Sequence, residues 1–172
     1  MPREFFKNEI IKNMESIYEI PFHKESFDIV ISNMVLEHVE DLNSTLKEFK
    51  RVLVKDGIVI SIFPDKGAWR EGHCGVWFLH WFPPKTKFRR YYALLFRIFG
   101  LGYNKEGKGI WEWCVHKCNW LDKWTYYLTQ KEIKRSFKKY FKYSKNYEYL
   151  YLKAKFPKLK SLIEKMPKSL IK

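Results

Sequence analysis

A chain of 172 residues that is 46% hydrophobic holds enough apolar mass for one real core, which excludes a disordered polymer. Its formal net charge of +14 is unevenly spread: residues 1–65 carry 8 Lys+Arg against 12 Asp+Glu, and the remainder carries 25 against 7. No apolar run reaches the roughly eighteen residues needed to span a bilayer. Three cysteines, an odd number, with no apolar leader after Met1, point to free thiols in a reducing cytoplasm.

Residues 5–20 alternate poorly and read as an edge strand or a short helix. Pro21 biases Ile20 towards extended backbone, and Phe22 is expected to pack under a sheet. Phe27 to Ile31 is a short apolar strand, followed by a polar turn at Ser32 and Asn33. From Asp41, the positions Leu42, Leu46, Phe49 and Leu53 recur at helical spacing, with Asp41 or Asn43 as N-cap. Asp56-Gly57 turns the chain into a second apolar strand, Ile58 to Phe63. Strand, helix and strand make one right-handed βαβ unit, so the fold class is α/β. Ligands of such sheets sit beyond the carboxyl ends of the strands, which puts Ser32, Asn33, Met34 and the turn after Phe63 at a pocket mouth.

After Pro64 the composition turns aromatic and basic, and all seven tryptophans fall between Trp69 and Trp124. Residues 65–84 read as a loop-rich lid ending in Pro83-Pro84. Residues 86–99 fit a basic amphipathic helix with Tyr91, Leu94, Leu95 and Ile98 on one face, and a second aromatic helix is expected from Ile110 to about Trp120. Thr129-Gln-Lys-Glu132 is a capping box opening a helix that carries Ile133, Phe137, Tyr140 and Phe141. Tyr147 to Leu152 alternates like a strand, and a Lys-rich tail with weak helical periodicity follows from Lys153. The expected divisions are 1–65, a core of the βαβ type; 66–128, an aromatic cap; and 129–172, a helix, a strand and a basic tail returning to the sheet.

Several linked motifs stand in order within the first segment: Ile20-Pro-Phe, Ser26-Phe-Asp-x-Val, Leu36-Glu-His-Val-Glu-Asp41 and Phe49-x-Arg-Val-Leu-x-x-Asp-Gly57. Residues 13 to 64, and more loosely the chain to about residue 125, resemble the class I S-adenosylmethionine-dependent methyltransferases. The resemblance implies a partial Rossmann-like methyltransferase sheet with an aromatic, largely helical cap. It also implies S-adenosylmethionine as cofactor and methyl transfer to a small-molecule, glycan or lipid acceptor. On it, Ser32, Asn33 and Met34 hold the methionine half of the cofactor, His38 lies near it, and Glu15 or Ser16 meets the adenine. The loop from Glu71 to Gly75, with His80 and Trp81, resembles one that follows the fifth strand in some bacterial methyltransferases and faces the substrate there. His73 is the candidate general base, a role a histidine suits near neutral pH; the bland alternative is that it ties the loop together.

The family opens its domain with a strand and a glycine-rich loop, whereas the first glycine here is Gly57. The expectation is therefore the later half of such a domain, with the earlier half supplied by a longer frame or a separate chain. Weak cofactor affinity of this chain alone follows, as does an open edge on the strand at Phe27 to Ile31, covered by residues 5–14 or by self-association. The competing class is a non-catalytic fragment or binding protein.

Two further patterns carry less. Cys114-x-His116-x-Cys118, with His73, Cys74 and His80 elsewhere, lacks the second ligand pair of a structural zinc site, so no metal is expected. Gly102-x4-Gly107-Lys108 is followed by Gly109 where a phosphate loop needs Ser or Thr, and it follows a helix instead of a strand. The basic aromatic half suits a solvated surface or the anionic surface of a membrane to which the protein is peripheral; nucleic acid is not expected.

Overall fold

The computed structural model describes residues 19–165, and the side chain of Leu162 is outside that description. The chain divides into two units, residues 1–140 and 141–172. The expected edge element at 5–14 and the adenine-side candidates Glu15 and Ser16 lie outside the described residues.

The first unit is built on strand β1 (Phe27–Asn33), helix α1 (Leu42–Val52) and strand β2 (Leu53–Ile62), with β1 and β2 parallel. Helix α1 starts where Asp41 accepts hydrogen bonds from the amides of Asn43 and Ser44, at 2.9 and 3.2 Å. It buries Leu42, Leu46, Phe49 and Val52 against the sheet. Leu53, expected on the helix, is instead the first residue of β2.

The register runs Phe27 opposite Leu53, then jumps so that Ile29 meets Ile58 and Asn33 meets Ile62. The extra residues form a bulge containing Asp56, at φ +66°, and Gly57, whose close neighbours Asp28 and Val54 leave no room for a Cβ. The turn read at Asp56-Gly57 is thus an irregularity within β2, with no gap before it. β1 likewise runs through Ser32 and Asn33, and the chain turns at Met34, at φ +54°.

The two faces of this ribbon differ. Val30, Ser32, Val59 and Ser61 lie on the side of α1, while Ile29, Ile31, Ile58 and Ile60 are each 45–69% exposed. Parallel sheets normally bury both faces. Among the described residues β1 pairs with β2 alone, in keeping with a partial Rossmann-like α/β sheet.

After β2 come loop 65–84, helix α2 (Lys87–Ile98) and helix α3 (Ile110–Trp124), which form the aromatic segment, and then helix α4 (Gln130–Tyr140). The core of the aromatic segment is Cys74, Val76, Leu79, Ala93, Trp113, Cys114, Cys118 and Leu121, where α2 and α3 pack on the loop. A buried ion pair, Arg89 with Asp122, ties the two helices. The face of α2 turned inwards is that of Arg89 and Ala93; Phe88, Tyr91, Leu95 and Ile98 are 53–62% exposed. Of the face expected from the periodicity, only Leu94 packs against the core. Ala93 is fully buried in this core.

The capping box forms as expected: the Thr129 amide donates to Glu132 at 2.8 Å and the Glu132 amide to Thr129 Oγ1 at 3.3 Å. Helix α4 packs on α1. In the second unit, residues 148–155 form helix α5 (Glu148–Lys155), which corrects the strand expected at Tyr147 to Leu152. A short helix α6 (Lys160–Lys165) follows, joined to α5 by the ion pair Lys153–Glu164 at 2.6 Å. A β-like alternation without a neighbouring strand leaves its backbone unpaired, and a helix satisfies those groups locally.

Candidate functional site

At the carboxyl end of β1, Ser32 is buried and its hydroxyl has no hydrogen-bond partner among the described residues. Asn33 is exposed, and Met34 and Val35 are both 48% exposed. The amide of Met34 donates to Ile62 O at 2.7 Å, which ties the turn to β2. The carboxyl end of β1, where ligands of parallel sheets sit, thus carries one orphaned buried hydroxyl and the exposed residues Asn33 and Met34.

One turn of 3-10 helix, Leu36–His38, follows and brings Glu37 and His38 towards the cap. The extended segment between α3 and α4 is stitched alongside: Tyr126 N donates to Glu37 O at 2.7 Å, and Lys66 N to Leu128 O at 2.9 Å. His38 Nδ1 donates to Trp124 O at 2.5 Å.

The loop after β2 brings the other half. Glu71 is fully buried, and Oε2 accepts from the amides of His73 and Cys74, at 2.9 and 2.6 Å. Gly75, at φ +75°, closes the turn by donating to Glu71 O. Glu71 Oε1 accepts from His73 Nδ1 and from the Tyr127 hydroxyl, both at 2.7 Å. Burial alone would raise the carboxyl pKa of Glu71, but the donors from His73, Cys74 and Tyr127 outweigh it and hold it at about 2. The same carboxylate raises the pKa of His73 above the usual imidazole value. Glu71 thus organises the loop, and His73 is held by it.

His73 Nε2 faces His38 Nε2 at 3.2 Å. The indole of Trp120 covers both rings, with centroids 5.0 Å from His73 and 5.9 Å from His38. Two of the residues singled out in the sequence, 35 positions apart, therefore meet. His80 is also buried and packs its ring on Tyr127, at 4.7 Å between centroids; burial lowers its pKa. Trp81 is half exposed and donates its indole N–H to Ala68 O at 3.0 Å. This bond joins two points of the loop 65–84. Cys114 and Cys118 are buried in the cap core, whereas His116 is exposed, so the cysteine-histidine motif does not converge. Among the described residues no helix is long and apolar enough to cross a membrane.

Sequence reasoning passed over Glu37, Trp120 and Tyr127. Only Glu37 had a signal, its place beside His38 in a motif; the others arrive from α3 and the strap that follows it.

Residues 3–61 match the family described as methyltransferase domain. Over 62 residues the chain is 32% identical to a malonyl-[acyl-carrier protein] O-methyltransferase of Halorhodospira halophila (strain DSM 244 / SL1), a match covering 32% of this chain and 21% of that protein. The chain thus spans about a fifth of the length of the curated relative it matches. No solved structure matches it.

Proposed function

We propose, from the premise that residues 3–61 belong to a class I S-adenosylmethionine-dependent methyltransferase domain, that this chain takes part in methyl transfer with its cofactor at the carboxyl end of β1. The observation that carries this is the parallel βαβ unit whose first strand ends at Ser32 and Asn33, before the turn at Met34, all within the matched stretch. When bound, S-adenosylmethionine supplies a methyl group activated on a sulfonium. Ser32 Oγ, buried and without a partner among the described residues, would donate or accept one hydrogen bond there. The backbone of Asn33 and Met34 would line the methionine half. Both ring nitrogens of His38 are already engaged by Trp124 and His73, which leaves its ring faces for contact. What such a site contributes is placement and exclusion of water. The loop Glu71–Gly75, rigid on its buried carboxylate, and the rings of His80 and Trp120 would form the acceptor side.

For the acceptor we favour a lipid or another amphiphile at an anionic surface. The outward stripe of Phe88, Tyr91, Leu95 and Ile98 on α2, with Lys85 and Lys87 at its start, supports this. The experiment is to incubate the full chain with methyl-labelled S-adenosylmethionine, at a concentration high enough to load a weak site, and separate lipid, protein and small-molecule fractions. Label in the lipid fraction is the expected result. Label elsewhere would reassign the acceptor, and no transfer into any fraction would overturn the methyl-transfer reading.

A further inference from the structure

Three observations converge behind the acceptor face. Glu37 is 1% exposed, and neither of its carboxylate oxygens finds a hydrogen-bond partner among the described residues. A carboxylate buried without a donor is costly, so something at this place must compensate it. Next to it, His38 and His73 turn Nε2 to Nε2 at 3.2 Å. The oxygen facing His38 Nδ1 is the carbonyl of Trp124, which only accepts, so Nδ1 carries the hydrogen. His73 Nδ1 donates to the buried carboxylate of Glu71 in the same way. In neutral rings both Nε2 atoms are then lone pairs pointing at each other. That contact is repulsive unless a positive charge lies between them.

We propose that Glu37, His38 and His73 form a divalent metal site, with zinc as the best-suited ion. One ligand atom from each residue lies within 4.8 Å of the others. Two imidazole nitrogens at the usual zinc distance, on a tetrahedral ion, stand about 3.3 Å apart, which is close to what the rings already show. Each imidazole has its other nitrogen held, one by a carbonyl and one by a carboxylate, the outer-shell arrangement that orients histidine ligands on a metal. Two nitrogens and one carboxylate oxygen suit zinc and its neighbours better than calcium or magnesium. Three protein ligands leave a fourth position for water or for an acceptor oxygen, as in zinc sites that act on substrates. His73 is then a ligand, and Glu71 is a positioning residue that holds it. This departs from the expectation of no metal, which rested on cysteine spacing alone.

The proposal goes beyond methyl transfer and stands or falls separately from it. The chelator-treated full chain is titrated with zinc by calorimetry and with cobalt(II) by visible absorption, and its melting temperature is followed with and without zinc. The expected result is one ion per chain, a zinc-dependent rise in melting temperature, and cobalt bands without a thiolate charge-transfer component. Glu37→Gln and His38→Gln should each weaken binding at least tenfold, and Glu71→Gln about 10- to 100-fold. Circular dichroism identifies any variant that fails to fold, and the wild-type titration remains decisive in that case. No binding and no melting shift in the wild type would overturn the site and leave a shared proton between the rings. Binding unaffected by Glu37→Gln and His38→Gln, or a thiolate band, would also overturn it by placing the ion elsewhere.

Discussion

The indole of Trp113 occupies the space that a side chain at position 102 would need. A Cβ on Gly102 would stand 2.7 Å from the Trp113 ring, and Gly102 is also held at φ +98°, a conformation that side chains disfavour. Trp113 is fully buried and donates its N–H to the carbonyls of Tyr103 and Asn104, at 3.0 and 3.1 Å. The loop between α2 and α3 is therefore folded around this one ring. Gly102→Ala should destabilise the cap through both strain and clash, and Trp113→Ala should cost about 3–5 kcal/mol. Urea unfolding followed by tryptophan fluorescence and circular dichroism measures both. An unchanged midpoint for Gly102→Ala would show that the loop repacks freely.

Glu48 and Arg51 form a second local device. The guanidinium bonds Glu48 at 2.7 Å and also donates to the carbonyls of Ile20 and Phe22, while Glu48 accepts the amide of Ile20. The Arg51 bonds hold the Glu48 carboxyl below its ordinary value of 4.5, against an opposing effect of burial. A carboxyl depressed on folding adds stability above its unfolded pKa, and that stability is lost as pH falls through the folded value. Glu48→Gln should therefore cost about 1 kcal/mol near neutral pH, a figure discounted for partial exposure. The gap to wild type should close in acid, as pH falls through the lowered pKa of Glu48. Denaturant midpoints of both proteins across that range test this; a gap independent of pH would place the effect in packing.

The three cysteines are expected to be inert in the native state. Burial, with the Glu71 charge adding to it, pushes the Cys74 thiol far up; burial also raises Cys114 and takes Cys118 up to about 11. Thiolates are the reacting species, so a disulfide reagent should titrate no thiol in native protein and three in denaturant. Fast reaction of one native thiol would show that the cap opens.

Val30 and Ile31 are neighbours on β1 with opposite surroundings. Ile31 is 69% exposed on the bare face, and Val30 lies partly buried on the side of α1. Ile31→Lys should be tolerated and should reduce self-association by breaking an exposed apolar face. Val30→Lys should unfold the βαβ unit, since a lysine there buries a charge without a partner. Light scattering and thermal melts distinguish the two. Equal damage from both would mean that the outer face is covered.

The stripe on α2 leads to a binding measurement. Flotation with phosphatidylglycerol vesicles should carry the protein, and phosphatidylcholine vesicles should not. Leu95→Glu should abolish this while leaving the fold intact, because Leu95 is 53% exposed. Flotation unaffected by Leu95→Glu would assign the binding to the lysines alone.

Much of the local structure was legible in the sequence because it rests on signals that act within a few residues. The leucine spacing and Asp41 set α1, the Thr129 box set α4, and linked motifs from Ile20 to Gly57 carried the methyltransferase resemblance. Ser32, Asn33 and Met34 fell at a strand terminus for the same reason. The tertiary structure decided what depends on distant partners. The face of α2 that turns inwards is that of Arg89, paired with Asp122 of α3, and Ala93, which its own hydrophobic pattern did not mark. The alternation at Tyr147 to Leu152 became a helix, since a strand needs a neighbour that no local pattern supplies. His38 and His73 meet across 35 positions, and Trp124, 86 positions beyond His38, fixes the ring that faces the other. Periodicity cannot record such contacts, because they form only when two loops and the strap after α3 close over the buried carboxylates of Glu37 and Glu71.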